Sequence, residues 1–242
     1  MGFDIYGIDE IKGTEGLCKH IDFGGLTFNK SSFLKEWVDK YIGEDINVIF
    51  DIGALEGGDS LRFSSWYPSA KIYTIEASPH NFEVMKKKFG DKKPNINMFN
   101  YAMSNENGIV SFYQTTYPDN TVEGNDFMVM GSIYDIKEEK KAKHHLKNID
   151  TIEINAITFD SFCEINDITS IDFAHIDVEG AGFDVISGMN NVLPKMIFIE
   201  QEGIEFFKNK TTGGNANLLN LFKNKGYELI LSLSNDYLLK LK

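Results

Sequence analysis

Two cysteines in 242 residues, Cys18 and Cys163, are too few and too far apart for a disulfide framework, and no C-x-x-C or Cys/His spacing around them indicates zinc. Buried thiols are the expectation. Basic charge is also scarce: 24 Lys and Arg stand against 36 Asp and Glu, a formal net charge of −12 with a pI near 4.9. Nucleic-acid binding draws on clustered cations, so a nucleic-acid partner is not expected. The one basic run, Lys137 to Lys147, is interrupted by Glu138 and Glu139 and reads, with His144 and His145, as a solvated helix face. Long apolar stretches are missing: none approaches the ~18 residues of a membrane span. Met1-Gly-Phe-Asp-Ile-Tyr-Gly has no signal-peptide character, and Tyr6 stands where a myristoylation signal wants Ser or Thr. A cytoplasmic location is therefore expected. Internal repeats and low-complexity tracts are absent as well.

What is present is a packable chain. Hydrophobic residues make up 42% and aromatics 13%, including 19 Phe, which argues for a globular core and against disorder. An α/β chain of this length is commonly one domain. Residues 1 to about 28 carry scattered glycines and read as an arm over the domain. From Ser31, Phe33, Trp37 and Tyr41 with Leu34, Val38 and Ile42 give an apolar face at helical period, capped by Ser31 or Ser32. Residues 1–47 are thus an arm and helix packing on a domain that spans 48–242.

Within that domain the strands predicted at Val48–Asp51, Lys71–Glu76 and Ile96–Tyr101 alternate with helices near Asp59–Trp66 and Asn81–Phe89, the pattern of βαβ crossovers and a parallel sheet. The rhythm breaks between about 104 and 170, where Ile109–Gln114 and Thr151–Ile157 read as strands around a polar segment, Thr115 to Asp150. A connection that long inside a compact domain is usually functional or disordered, and it is expected on the substrate side. Alternation resumes with Ile171–Asp177, a helix from Phe183, Lys195–Glu200 and a helix near Asn217–Lys225. Tyr227–Ser232 and Tyr237–Leu241 close the sheet as an antiparallel hairpin. The fold class expected is α/β, a seven-stranded and mostly parallel sheet with helices on both faces and a β-containing insertion.

The stretch Val48-Ile-Phe-Asp-Ile-Gly-Ala-Leu-Glu-Gly-Gly-Asp-Ser60 carries the strongest functional signal. Gly53, Gly57 and Gly58 tolerate positive φ and let backbone approach a ligand closely. Glu76, at the tip of the next strand, is placed to accept hydrogen bonds from a ribose. The dinucleotide fingerprint wants glycines at 53, 55 and 58, but residue 55 is Leu, and Asp51 would face two phosphates. S-adenosylmethionine brings an ammonium and a sulfonium, which suit Asp51. The D-x-G-x-x-x-G turn with Glu76 downstream resembles the start of a class I methyltransferase.

In an open α/β sheet, ligands bind beyond the carboxyl ends of the strands. Those ends supply Asp51, Glu76, Asn100 to Ala102, Asp177 with Glu179, and Glu200 with Glu202, most of them acidic. Carboxylates gathered at one rim need a cation, a metal or a shared proton. The cofactor-contacting set is therefore Asp51, Gly53, Ala54, Gly57 and Ser60 of the turn, Glu76 and Ala77 after the second strand, Asn100 and Ala102 after the third, and Asp177.

The run Ile176-Asp-Val-Glu-Gly-Ala-Gly-Phe-Asp-Val-Ile-Ser-Gly188 resembles the signature of FkbM-type S-adenosylmethionine-dependent methyltransferases. Phe50-Asp-Ile-Gly53, Glu76-Ala-Ser-Pro79, Thr158-Phe-Asp160 and Ile197 to Glu200 agree with it, so the resemblance covers about residues 48 to 202. It implies a class I methyltransferase fold, a Rossmann-like sheet, and methylation of a hydroxyl on a sugar or sugar-like ring. Gly182 departs from the pattern, where members usually carry Glu, and His175 stands where Lys is frequent.

Methyl transfer to a hydroxyl is an in-line displacement that needs alignment first and proton removal second. Asp177 is the leading catalytic candidate, as base or as ligand of a divalent metal such as Mg²⁺. His175 shares its strand face and is a base or an orienter. Glu179 and Glu200 are candidates for substrate hydroxyls or for a metal. Gly131-Ser132 and the aromatics Tyr117, Phe127 and Tyr134 offer an acceptor wall. Two other readings stay open, a non-catalytic module that binds the cofactor or a glycan and, less favoured, a nicotinamide oxidoreductase. The oligomeric state is not legible.

Overall fold

A computed structural model describes residues 21–22, 27–28, 35–89, 92–116, 129–201, 204–210, 214–233 and 236–242. In chain order, the first strands are β1 (Ile21–Asp22) and β2 (Thr27–Phe28), followed by α1 (Lys35–Ile42). The first half of the main sheet comprises β3 (Val48–Ile52), α2 (Gly58–Trp66), β4 (Lys71–Ile75), α3 (Pro79–Phe89) and β5 (Ile96–Phe99). The insertion holds β6 (Ala102–Ser104), β7 (Gly108–Thr116), α4 (Glu138–Lys143) and β8 (Lys147–Thr158). The chain returns through α5 (Phe159–Ile165), β9 (Phe173–Ile176), α6 (Gly182–Ser187), β10 (Met196–Glu200), a 3₁₀ turn at Ile204–Phe206, α7 (Asn215–Asn224), β11 (Tyr227–Leu233) and β12 (Asp236–Leu241).

Among the described residues, the main sheet has seven strands in the order β11-β12-β10-β9-β3-β4-β5. Pairings from β10 to β5 are parallel, and β12 runs antiparallel to both β10 and β11. The final hairpin therefore inserts its last strand into the sheet and leaves β11 at the edge. Parallel strands covered on both faces read as continuous apolar runs. Accordingly β9, Phe-Ala-His-Ile, is buried at every position.

Alternation along β3 divides the core in two. Phe50 and Ile52 point to the face covered by α5, α6 and α7, where Phe50 meets Phe159 and Phe162 at ring separations of 5.2 and 5.6 Å. Ile49 points to the opposite face, with Leu61 and Phe63 of α2, Met85 of α3 and Val38 of α1. Each such ring or branched side chain contributes about 1.5–3 kcal/mol by leaving water. α1 thus packs on the domain, as its helical periodicity predicts, with Trp37 and Phe198 at 6.2 Å; Ser31 and Ser32, its expected caps, lie outside the described residues.

A second sheet of three strands, β6-β8-β7, forms the insertion and has its own small core of Ala102, Phe112, Ile154 and Ala156. The predicted strand Ile96–Tyr101 stops at Phe99, because the chain leaves the main sheet there and β6 joins β8 instead. α5 is an element the periodicity does not announce. Its seven residues start where Thr158 accepts a hydrogen bond from the Ser161 N–H at 3.1 Å, an N-cap. Cys163 is buried on α5, and burial pushes its thiol up to about 12. Cys18 lies outside the described residues.

Candidate active site

Past Ile52 the chain turns at Gly53 with φ of 83°. The Gly53 and Ala54 N–H groups donate to the Ile75 carbonyl at 2.9 and 3.2 Å. A Cβ on Gly53 would run into the carbonyl of Asp177, so glycine lets the tips of β3 and β9 approach as well as supplying the positive φ. Leu55 follows at φ 55°, a left-handed conformation that costs a non-glycine residue on the order of 1–2 kcal/mol. Its N–H is held by Glu76 Oε2 at 2.8 Å. Glu76 Oε1 accepts from the Ser78 N–H at 2.8 Å and from Asn81 Nδ2 at 3.5 Å. Asn100 supports this corner from behind, donating to the carbonyls of Glu76 and Ala77 at 2.8 and 3.1 Å.

A cavity of about 280 Å³ opens above this corner. Its lining includes Gly53, Leu55, Glu76, Ala77 and Asn81, then Tyr101, Ala102 and Met103, and then Asp177, Val178 and Glu179. The insertion closes it with Phe112 and residues Val129 to Ile133. Gly131 and Ser132 are thus at the cavity. Tyr134 is turned away, its hydroxyl donating to Asp184 Oδ2 at 2.8 Å. Tyr117, Phe127 and Glu202 lie outside the described residues.

Asp177, Glu179 and Glu200 each bring a carboxyl oxygen to within 4.8 Å of the others. Asp177 Oδ1 is buried without a hydrogen-bond partner. Burial, then the charges of Glu179 and Glu200, raise the Asp177 pKa well above the usual carboxylate range. An aspartate so placed holds or accepts a proton nearer neutrality, which is what a general base for a hydroxyl requires.

Asp51 does not stand at the strand-tip position the sequence suggests, and His175, expected beside Asp177 on its strand face, does not line the cavity. β3 and β9 pair with Asp51 opposite His175, and both side chains face α2 rather than the cavity. Asp51 is fully buried, accepting from Ser60 Oγ at 2.5 Å through Oδ2, while its Oδ1 lies 2.9 Å from His175 Nδ1. Ser60 in turn lies 2.6 Å from Thr74 Oγ1. The His175 ring stacks on Phe198 at 5.9 Å and meets Phe63 edge-on. Burial opposes its protonation, but the bond to Asp51 and the nearby Asp59 outweigh it, so its pKa is raised. This network ties β3, β4, β9 and α2 together under the turn. Of the expected cofactor contacts, Gly53, Glu76, Ala77, Ala102 and Asp177 come together at the cavity, whereas Asp51, Ala54, Gly57, Ser60 and Asn100 stand behind it; Glu179 lines it and Glu200 adjoins through Asp177.

Residues 51–229 match the methyltransferase FkbM domain. The chain belongs to that family. It is 28% identical over 155 residues to 2-O-methyltransferase NoeI of Sinorhizobium fredii (strain NBRC 101917 / NGR234), which covers 64% of the chain and 62% of that protein, less than two thirds of the relative's length. Solved structures similar to the FkbM methyltransferase include the N-terminal domain of EvdMO1 with SAH bound, at 12% identity, full coverage of both chains and a TM-score of 0.46. Another is a SAM-dependent methyltransferase from Aquifex aeolicus, at 10% identity, 85% and 89% coverage and a TM-score of 0.43.

Leu55, Asn81, Met103 and Phe112 are among the lining groups that escape a reading by motif. Leu55 counts against a dinucleotide in sequence, and nothing local shows that its N–H meets Glu76. Gly182, where the resemblance leads one to expect Glu, begins α6 with Ile199 Cδ1 only 3.0 Å from where its Cβ would stand, so a larger side chain there would have to displace that contact.

Among the described residues no helix is long and apolar enough to cross a membrane.

Proposed function

We propose that the enzyme transfers a methyl group from S-adenosylmethionine to a hydroxyl of a sugar or polyol. The observation that carries this is one cavity lined by both Glu76 and Asp177, the latter with a raised pKa, and walled by the insertion. The residues fit the cofactor: Gly53 lets the Asp177 backbone pack against the turn, which brings Asp177 to the cavity that Gly53 also lines, and Glu76 presents a carboxylate suited to a ribose diol. S-adenosylmethionine supplies an electrophilic methyl on a sulfonium. Glu76 would hold the ribose. Asp177 would orient the acceptor hydroxyl and take its proton, with Glu200 able to share it. Glu179 would accept from a neighbouring hydroxyl, and Phe112 with Ile133 would pack against a ring face and exclude water. Alignment supplies the larger part of such catalysis, roughly 7–11 kcal/mol, with the base adding about 10²–10⁴-fold.

The name of the Sinorhizobium relative, a 2-O-methyltransferase, supports a hydroxyl acceptor. The test is a mass-spectrometric screen of methyl glycosides, polyols, phenols, carboxylates and amines with the labelled cofactor. The expected product carries the methyl on a sugar or polyol oxygen. A methyl found only on nitrogen or a carboxylate would refute the assignment, and cofactor binding with no turnover on any class would favour a non-catalytic binding module.

The cluster of Asp177, Glu179 and Glu200 favours a second reading of the same site. Three oxygen donors suit a hard cation such as Mg²⁺, which would acidify the acceptor hydroxyl. Loss of turnover in a chelator, restored by Mg²⁺, would select it over Asp177 acting as base.

Glu76 gives the cofactor site a pH dependence. Burial outweighs its N–H and amide bonds and raises its pKa to about 7. Below that pH the carboxyl is neutral, and ribose hydroxyls donate best to the ionised form. Affinity for S-adenosylhomocysteine should therefore rise as pH increases through 7, with proton release on binding, and should be flat in Glu76→Gln. Calorimetry between pH 6 and 8 in two buffers of different ionisation enthalpy measures both quantities; an equal slope in Glu76→Gln would assign the proton elsewhere.

A further inference from the structure

The turn after β9 is held by two side chains that arrive from separate parts of the chain. Glu179 and Gly180 both take positive φ, 46° and 90°. Ser132 of the insertion donates its Oγ hydrogen to the Glu179 carbonyl at 2.6 Å. Lys210, beyond the 3₁₀ turn, donates from Nζ to the Gly180 carbonyl. Gly180 is where glycine is required twice, since a Cβ there would also strike the Phe207 ring.

Lys210 is only 6% exposed. Its ammonium stands 5.1 Å from the Tyr134 ring centroid and 5.6 Å from that of Phe207. Burying an ammonium is costly unless hydrogen bonds and π faces compensate, so packing alone would be better served by an apolar side chain. The segment around it is tied to the insertion through Lys137 N–H to the Phe206 carbonyl at 2.9 Å and Lys208 N–H to the Asp135 carbonyl at 2.8 Å. Tyr134 is tied to α6 through Asp184. The acceptor wall, the segment 204–210 and the turn carrying the carboxylates are therefore joined at Lys210.

The geometry points to Lys210 as a positioning residue for methyl transfer: with Ser132 it fixes the left-handed turn at Glu179–Gly180 and so the direction in which Asp177 and Glu179 face the cavity. Its effect on turnover rests on the methyl-transfer reading above, whereas its effect on the turn does not. Lys210 itself does not line the cavity, so cofactor affinity should be spared.

The test compares Lys210→Met, Lys210→Arg and Ser132→Ala in the full chain. Three readouts apply: hydrogen exchange of residues 177–184, affinity for S-adenosylhomocysteine, and methyl transfer to a mixture of methyl hexosides and methyl deoxyhexosides. In Lys210→Met, exchange at 177–184 should rise about tenfold, the scale of one lost charged hydrogen bond. Turnover should fall about 10²-fold, as for a misplacement near 1 Å, with affinity close to wild type. Lys210→Arg, which restores a cation and a donor, should recover part of both losses, and Ser132→Ala should raise exchange in the same residues. Wild-type exchange at 177–184 in folded Lys210→Met would overturn the inference, as would losses that follow melting temperature alone with no recovery in Lys210→Arg. If Lys210→Met does not fold, Lys210→Gln takes its place, and wild-type exchange at 177–184 in that variant overturns the inference equally. Wild-type protein inactive on the mixture would count against the acceptor proposal, and the exchange result would still decide the role of Lys210.

Discussion

Asp177→Asn is expected to lower turnover by about 10²–10⁴-fold, the contribution of a positioned general base, while S-adenosylhomocysteine affinity falls far less. The amide keeps the shape of the carboxyl but takes no proton and binds a metal weakly. Stability should move the other way. Burial and the charges of Glu179 and Glu200 raise the Asp177 pKa in the fold, so ionising it costs stability as pH rises above the unfolded value. Asn removes that cost, and the variant should melt no lower than wild type at neutral pH. A variant that loses activity and raises its melting temperature would show a residue kept for chemistry at the expense of the fold. Turnover falling only as far as cofactor affinity would make Asp177 a cofactor ligand instead.

Glu76→Ala is expected to weaken S-adenosylhomocysteine binding by about 1.5–3 kcal/mol, the scale of hydrogen bonds to a charged group. Two effects combine in that variant. The ribose loses its acceptor, and the N–H groups of Leu55 and Ser78 lose theirs. Leu55 sits at positive φ, so releasing its N–H also frees the turn to relax. Glu76→Gln helps separate the two: it removes the charge but keeps one acceptor for the two N–H groups, so it should disturb the turn less than Ala while binding more weakly above pH 7. Calorimetry on the three proteins is the measurement. Equal affinity in all three would show that Glu76 only braces the Leu55 turn.

The strand and helix alternation was legible because its signal is local. Val-Ile-Phe-Asp-Ile and Phe-Ala-His-Ile are short apolar runs, and the Gly53 turn and Glu76 announce where two strands end. Even the closing hairpin could be read, although its insertion between β10 and β11 depends on sheet pairing that no local pattern encodes. Asp51 and His175 show the limit most clearly. Asp51 reads as a strand-tip group and His175 as a base or orienter on the strand face of Asp177, and only the register that sets them opposite one another, with α2 above, turns them into a buried pair at 2.9 Å. Leu55 was legible as a departure from the dinucleotide pattern but not as a hydrogen-bond partner of Glu76. Lys210 lies 30 residues beyond the Gly180 it contacts. Nothing in either neighbourhood announces that contact, which depends on how the insertion docks against 204–210.

The central claim is that the cofactor lies in the cavity between Glu76 and Asp177, with its reacting end toward the carboxylates. A crystal structure of the protein with S-adenosylhomocysteine tests it most directly. The account predicts ribose hydroxyls within hydrogen-bond distance of Glu76 and the sulfur directed toward Asp177, beneath residues 129–133. A nucleoside bound elsewhere, or a sulfur directed away from Asp177 with Glu76 touching only Leu55 and Ser78, would contradict it.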